Sequence, residues 1–188
     1  MAKMKKAALL GDSIRLVGYG KRCAELLGEE YDTFLPRENG MFAKYTLRMA
    51  LYEWKPMLEG SDVIHWNNGL WDVCDLGDGP FSSVDEYVGC LLRIRKVLSG
   101  YARRIIFATT TPPSPKMPGH SIDRIREYNK AAAEALAPHG VIINDLFGAV
   151  IDDLEGNICC DMLHLSPKGV EICAKRTAAV IRSTAEQD

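Results

Sequence analysis

The chain has 188 residues, 47 % of them apolar, with 23 lysines and arginines against 25 aspartates and glutamates for a formal charge of −2. That length suits one domain spanning 1–188, with enough apolar material to bury a substantial core. The balanced charge excludes the clustered positive footprint that nucleic acid or an anionic membrane surface requires; the densest basic stretches, Lys3 to Lys6 and Arg93 to Lys96, read as solvated faces.

At the amino terminus Lys3, Lys5 and Lys6 precede an apolar run, but Ala7 to Leu10 ends at Gly11-Asp12. A secretory core needs roughly 7–15 apolar residues, and no stretch approaches the ~20 of a membrane span, so the chain reads as cytoplasmic. Lys6 to Leu10 is a brief buried strand. Tyr19 to Leu27 follows as a short helix stopped near Gly28, and Tyr31 to Leu35 as a second strand ended by Pro36. From Ala43 to Leu58, Leu47, Leu51, Trp54 and Leu58 recur at helical spacing, with Gly60 as the stop.

Asp62 to Trp66 is the third strand. Ser82 or Ser83 caps a helix running to Leu98, closed by Ser99-Gly100. Arg104 to Thr109 is a fourth, strongly β-prone strand. Thr111 to Gly119 carries Pro112, Pro113, Pro115 and Pro118 and is therefore a loop, idle surface or a substrate lid. Ser121 caps a helix over Ile122 to Leu136, Val141 to Asn144 is the fifth strand, and Ser166-Pro167 opens a last helix running towards Arg182. Strands separated by helices predict a parallel sheet covered on both faces, a single-domain three-layer α/β/α sandwich.

Cys23, Cys74, Cys90, Cys159, Cys160 and Cys173 show no CxxC spacing, and in a reducing compartment most are expected as small buried hydrophobes. Cys159-Cys160 ahead of Asp161 and His164 suggests a metal at first sight. Adjacent cysteines chelate one ion poorly and no second ligand cluster exists, so no metal site is expected.

In an open parallel sheet, ligands bind at the carboxyl ends of the strands. Those ends carry Gly11-Asp12-Ser13, then Glu38-Asn39-Gly40, then His65 to Gly69, then Thr109 to Thr111, then Asn144-Asp145, with Asp161-Met162-Leu163-His164 before the last helix. These are parts for acyl transfer. A serine hydroxyl needs a base to take its proton, and histidine titrates near neutrality. The imidazole in turn needs a carboxylate to fix its tautomer, and Asp161 lies three residues from His164. The N–H groups of Ser13 and Gly40 and an asparagine amide are natural donors to an oxyanion. A nucleophile elbow reads G-x-S-x-G, and Arg15 occupies the second glycine's place, which disfavours an α/β-hydrolase.

At this point the residues resemble a family, the SGNH (GDSL-type) hydrolases. Its blocks are matched in order by Gly11-Asp12-Ser13, Gly40, Asn67 or Asn68, and Asp161-Met162-Leu163-His164, over residues 11 to 164. The resemblance implies a flavodoxin-like five-stranded parallel sheet and a serine esterase. Its triad would be Ser13, Asp161 and His164, and its oxyanion hole Ser13, Gly40 and Asn67. No metal or organic cofactor is implied, and the expected partner is a small-molecule ester, such as an O-acetyl group on a carbohydrate, without nucleic acid or membrane insertion. The third block usually reads G-x-N-D; here that slot falls on Gly69-Leu70-Trp71-Asp72, with tryptophan in the asparagine's place. Asn67 shares strand-side parity with Gly69 in an extended strand and is preferred as donor, with Asn68 the alternate.

Other readings accompany these. Ser13 as a turn or cap residue, Gly40 as a turn glycine and Gly11-Asp12-Ser13 as a phosphate nest lacking further glycines are the bland ones. His65 and His120 read as structural or loop residues and His139 as a turn residue. Trp66 and Trp71 line a pocket or pack, and Arg15 contacts a polar substrate or pairs with a carboxylate. A non-catalytic acyl- or sugar-binding module, an acyltransferase and a flavin or nucleotide binder remain rivals on the same fold.

Overall fold

A computed structural model describes residues 4–186; Lys3, counted above with the basic stretch, lies outside them. Five strands form one sheet: β1 (Lys5–Leu10), β2 (Tyr31–Phe34), β3 (Ser61–Asn67), β4 (Ala102–Ala108) and β5 (Ile142–Asn144). Every pairing is parallel and the order is β2-β1-β3-β4-β5, the flavodoxin-like arrangement. Ala7 to Leu10 are wholly buried, as a central parallel strand covered on both faces requires. The register sets Leu9 beside His65 and Leu10 beside Trp66, so the ends of β1 and β3 lie together where the strand order reverses.

The helices are α1 (Gly20–Leu27), α2 (Ala43–Leu51), α3 (Lys55–Leu58), α4 (Val84–Leu98), α5 (Ile122–Leu136), α6 (Leu146–Ile151), α7 (Leu154–Asn157) and α8 (Pro167–Ala185). On one face α1, α6 and α7 pack against α8; on the other α2 packs on α4 and α4 on α5. Among the described residues no helix is long and apolar enough to cross a membrane.

Local chemistry accounts for most boundaries. Ser83 starts α4 with a reciprocal capping box to Glu86. Ser121 and Ser166 cap α5 and α8, the latter with Pro167 in the first turn. Two expectations are corrected. The helix expected over 43–58 is broken: Tyr52 leaves helical geometry (φ −128°, ψ −79°) and Trp54 N–H returns to Met49 O (2.9 Å). Pro56, in the first turn of α3, fits a restart and would break a continuous helix. Secondly, helical structure begins at Ser13, through a wide turn over Ile14–Tyr19 interrupted at Gly18 (φ −107°, ψ −114°), rather than at Tyr19. The rim residue Asp145 caps α6, accepting the Gly148 N–H. Cys23, Cys90 and Cys173 are buried, whereas Cys74 and Cys159 are partly exposed and Cys160 is exposed.

Candidate active site

Ser13 follows β1 through Gly11 and Asp12 and opens the helical turn, so its own N–H is among those no intrahelical bond reaches. Asp12 is buried and accepts the Ile14 N–H on Oδ1 (3.0 Å). Burial pushes its carboxyl up to about 6, against the opposing pull of the Asn67 side chain, the Ile14 N–H and Arg15. Arg15 is buried as well. Its guanidinium donates to the carbonyls of Pro36 (2.7 Å), Glu38 (2.8 Å) and Gly11 (3.2 Å), clamping the loop after β1 to the loop after β2.

His164 and Asp161 come together in the turn before α8. Asp161 Oδ2 lies 2.7 Å from His164 Nδ1. Its Oδ1 accepts the N–H groups of Leu163 and His164 and the thiol of Cys159, each at 2.9 Å. The Cys159 thiol first, then those two N–H groups, hold the Asp161 carboxyl well below the usual carboxylate range. Met162 takes φ 69° to make this turn, and Met41, beside Gly40, takes φ 45°; both are conformations that non-glycine residues rarely adopt, and both border the site. The other ring nitrogen, His164 Nε2, is buried without a hydrogen-bond partner among the described residues.

Ser13 and His164 line one cavity of about 520 Å³ together with Asn39, His120 and a set of apolar side chains. The proline-rich loop is tied to two segments bordering this site: Ser114 N–H donates to Met162 O (2.8 Å) and Asp75 N–H to Gly119 O (2.8 Å). His120, at its end, points its two ring nitrogens at Pro118 O (3.1 Å) and Leu70 O (3.2 Å). His65 is buried against Tyr19 and Asn144, and desolvation lowers it to about 3, so it stays neutral.

Of the three expected oxyanion donors, Ser13 lines the cavity, whereas Gly40 and Asn67 are engaged elsewhere. Gly40 N–H is engaged by Gly11 O (2.8 Å). Asn67 Oδ1 accepts the Tyr19 hydroxyl (2.9 Å), and its side chain lies so close beneath Gly11 that a Cβ there would come within 2.0 Å of it. Strand parity is the reason: β3 extends through Asn67, which shares His65's face towards Tyr19, and neither faces the cavity. Asn68, on the opposite face, donates to Met41 O and Thr46 Oγ1, both at 3.0 Å. The asparagine that lines the cavity is Asn39, whose Oδ1 is fixed by Met41 N–H (2.8 Å), leaving the amide hydrogens as its donor end. Asn39-Gly40 carried a turn signal in the sequence, and the family block drew attention to its glycine alone. Asp72, also passed over, is buried and accepts both the Ala43 N–H at the start of α2 (3.0 Å) and the Ser82 hydroxyl (2.8 Å).

The sheet order and the surrounding helices define an α/β protein with the SGNH hydrolase fold. Among solved structures, the chain is similar to a lipase/acylhydrolase from Enterococcus faecalis (TM-score 0.80, 22 % identity, 98 % of this chain and 100 % of that one). An acetylxylan esterase from Geobacillus stearothermophilus superposes with TM-score 0.77 at 16 % identity over 98 % and 95 % of the two chains. Another acetyl xylan esterase gives 0.73 at 19 % identity over 94 % and 99 %. No family profile matches the chain, and no curated protein matches it.

Proposed function

We propose that the chain is a serine esterase working through an acyl-enzyme, with Ser13 as nucleophile, His164 as base and Asp161 as its orienting carboxylate. The observation that carries this reading is His164 itself. One nitrogen is held at 2.7 Å by Asp161, and the other is buried, unpartnered and in a residue that shares a cavity wall with Ser13. Ser13 Oγ attacks the ester carbonyl while its proton passes to His164 Nε2. Collapse of the tetrahedral intermediate expels the alcohol, which takes that proton. Water, deprotonated by the same nitrogen, then releases the carboxylic acid and restores Ser13. Ser13 N–H and Asn39 Nδ2 serve the oxyanion. The esterase and acylhydrolase names of proteins with this fold support the same chemistry.

Labelling with a fluorophosphonate serine-hydrolase probe tests it. Stoichiometric labelling of the wild type, abolished by Ser13→Ala and by His164→Ala, is the expected result. Absence of wild-type labelling together with failure to turn over p-nitrophenyl acetate would replace it with a non-catalytic binding module.

A further inference from the structure

The cavity beside Ser13 is walled by Phe42, Leu70, Trp71, Leu76, Phe81 and Leu163. Phe42 stands edge-to-face with both Trp71 and Phe81, each ring centroid 5.3 Å away, so these three aromatics form one apolar wall. Leu76 and Phe81 are 75 % and 57 % exposed, large apolar surface that a bound group of the same character would cover. The polar lining is already committed. Ser13 and His164 belong to the chemistry, both His120 nitrogens face backbone carbonyls, and Asn39 Oδ1 holds Met41 N–H. A sugar ring stacked here would bring several hydroxyls to a wall whose polar side chains are already engaged, the Asn39 amide hydrogens with the oxyanion and its Oδ1 with Met41 N–H. Each hydroxyl left unpaired weakens binding on the order of tenfold.

Resting on the esterase reading, we propose that this cavity holds the aliphatic acyl chain of the ester rather than an acetylated sugar. The polar remainder of the substrate then lies towards solvent past the Leu76 and Phe81 rim. The segment that supplies most of the wall, residues 70–81, is stiffened for this by its own bonds. Phe81 N–H donates to Cys74 O (3.0 Å), and Asp75 Oδ1 accepts the N–H groups of Gly77 (2.8 Å) and Gly79 (3.1 Å).

The test compares p-nitrophenyl acetate, butyrate and hexanoate with an acetylated xylooligosaccharide, in wild type and Phe81→Ala. Wild-type kcat/KM should climb about threefold per added methylene, and Phe81→Ala should flatten that climb. Calorimetric binding of p-nitrophenyl hexanoate and acetate to Ser13→Ala gives a readout independent of turnover, with hexanoate expected to bind at least about tenfold tighter. Equal or better use of the acetate or the acetylated oligosaccharide, with Ser13 labelled by fluorophosphonate, would overturn the apolar assignment and leave the esterase reading standing. Tight hexanoate binding with neither labelling nor turnover would overturn the esterase reading and uphold the apolar cavity.

Discussion

Asp161 divides its two oxygens between two tasks: Oδ2 orients His164, while Oδ1 is held by two backbone N–H groups and the Cys159 thiol. The thiol is the partner a mutation can remove. Its interaction with Asp161 raises the Cys159 pKa, keeping the sulfur protonated and donating. Cys159→Ala is expected to lower kcat about fivefold, the worth of about 1 kcal/mol for one hydrogen bond, with an unchanged melting temperature and recovery in Cys159→Ser. Full activity in the alanine variant would show that the backbone alone positions the carboxylate. The oxyanion donor separates just as cleanly. Asn39→Ala should cost on the order of 10²–10³ in kcat, whereas Asn67→Ala should leave the buried Tyr19 hydroxyl without its acceptor and lose about 1–3 kcal/mol of stability. If Asn67→Ala carries the kcat loss and Asn39→Ala does not, the donor is Asn67. The candidate nucleophile and the Asp-His pair were legible because they lie in short local motifs. The place of Asn39 in the cavity wall was not, because which asparagine faces the cavity depends on the strand face and on side-chain bonds that spacing does not encode.

At the scale of elements, the site depends on two loops being held together, and Arg15 is the tie. It sits in the wide turn that leads from Ser13 into α1 and reaches carbonyls on both sides of the cleft between β1 and β2. Arg15→Met keeps much of the bulk and leaves the Pro36 and Glu38 carbonyls without their donor. We expect a loss of about 3 kcal/mol in denaturant unfolding and slower fluorophosphonate labelling of Ser13, because the loop carrying Ser13 loosens. Normal labelling at reduced stability would confine Arg15 to a purely structural role. The elements themselves were largely readable. The apolar runs placed five strands within one or two residues of their ends, and the serine caps placed α4, α5 and α8. The failures have physical causes. Apolar spacing continued through Tyr52 to Trp54 although the backbone did not, and α6 and α7 are too short for a periodic signal and rest on the caps of Asp145 and Asp153.

For the molecule as a whole, two buried groups near the centre of the sheet make stability depend on pH in opposite senses. Asp12 is raised to about 6, so the folded state holds its proton more tightly than the unfolded chain does. Its contribution is fully present below about pH 4 and is lost as pH rises through about 6. His65 is lowered to about 3, so its contribution is present above about pH 6.5 and is lost as pH falls towards 3. Over the interval they share, roughly pH 4 to 6, one falls while the other rises, and the wild-type profile understates both. Single substitutions separate them, because the remaining titrating groups cancel in the difference from wild type. Asp12→Asn can still accept the Ile14 N–H but carries no charge. Its stability relative to wild type should therefore climb with pH by about 3 kcal/mol between pH 4 and 6 and then level off. His65→Gln should behave oppositely, gaining on wild type as the solution is acidified below pH 6.5. Urea midpoints measured across pH 3.5 to 7.5 decide the matter: a flat difference for Asp12→Asn would mean that the carboxyl titrates normally and that the loop carrying Ser13 is built on a charged aspartate throughout.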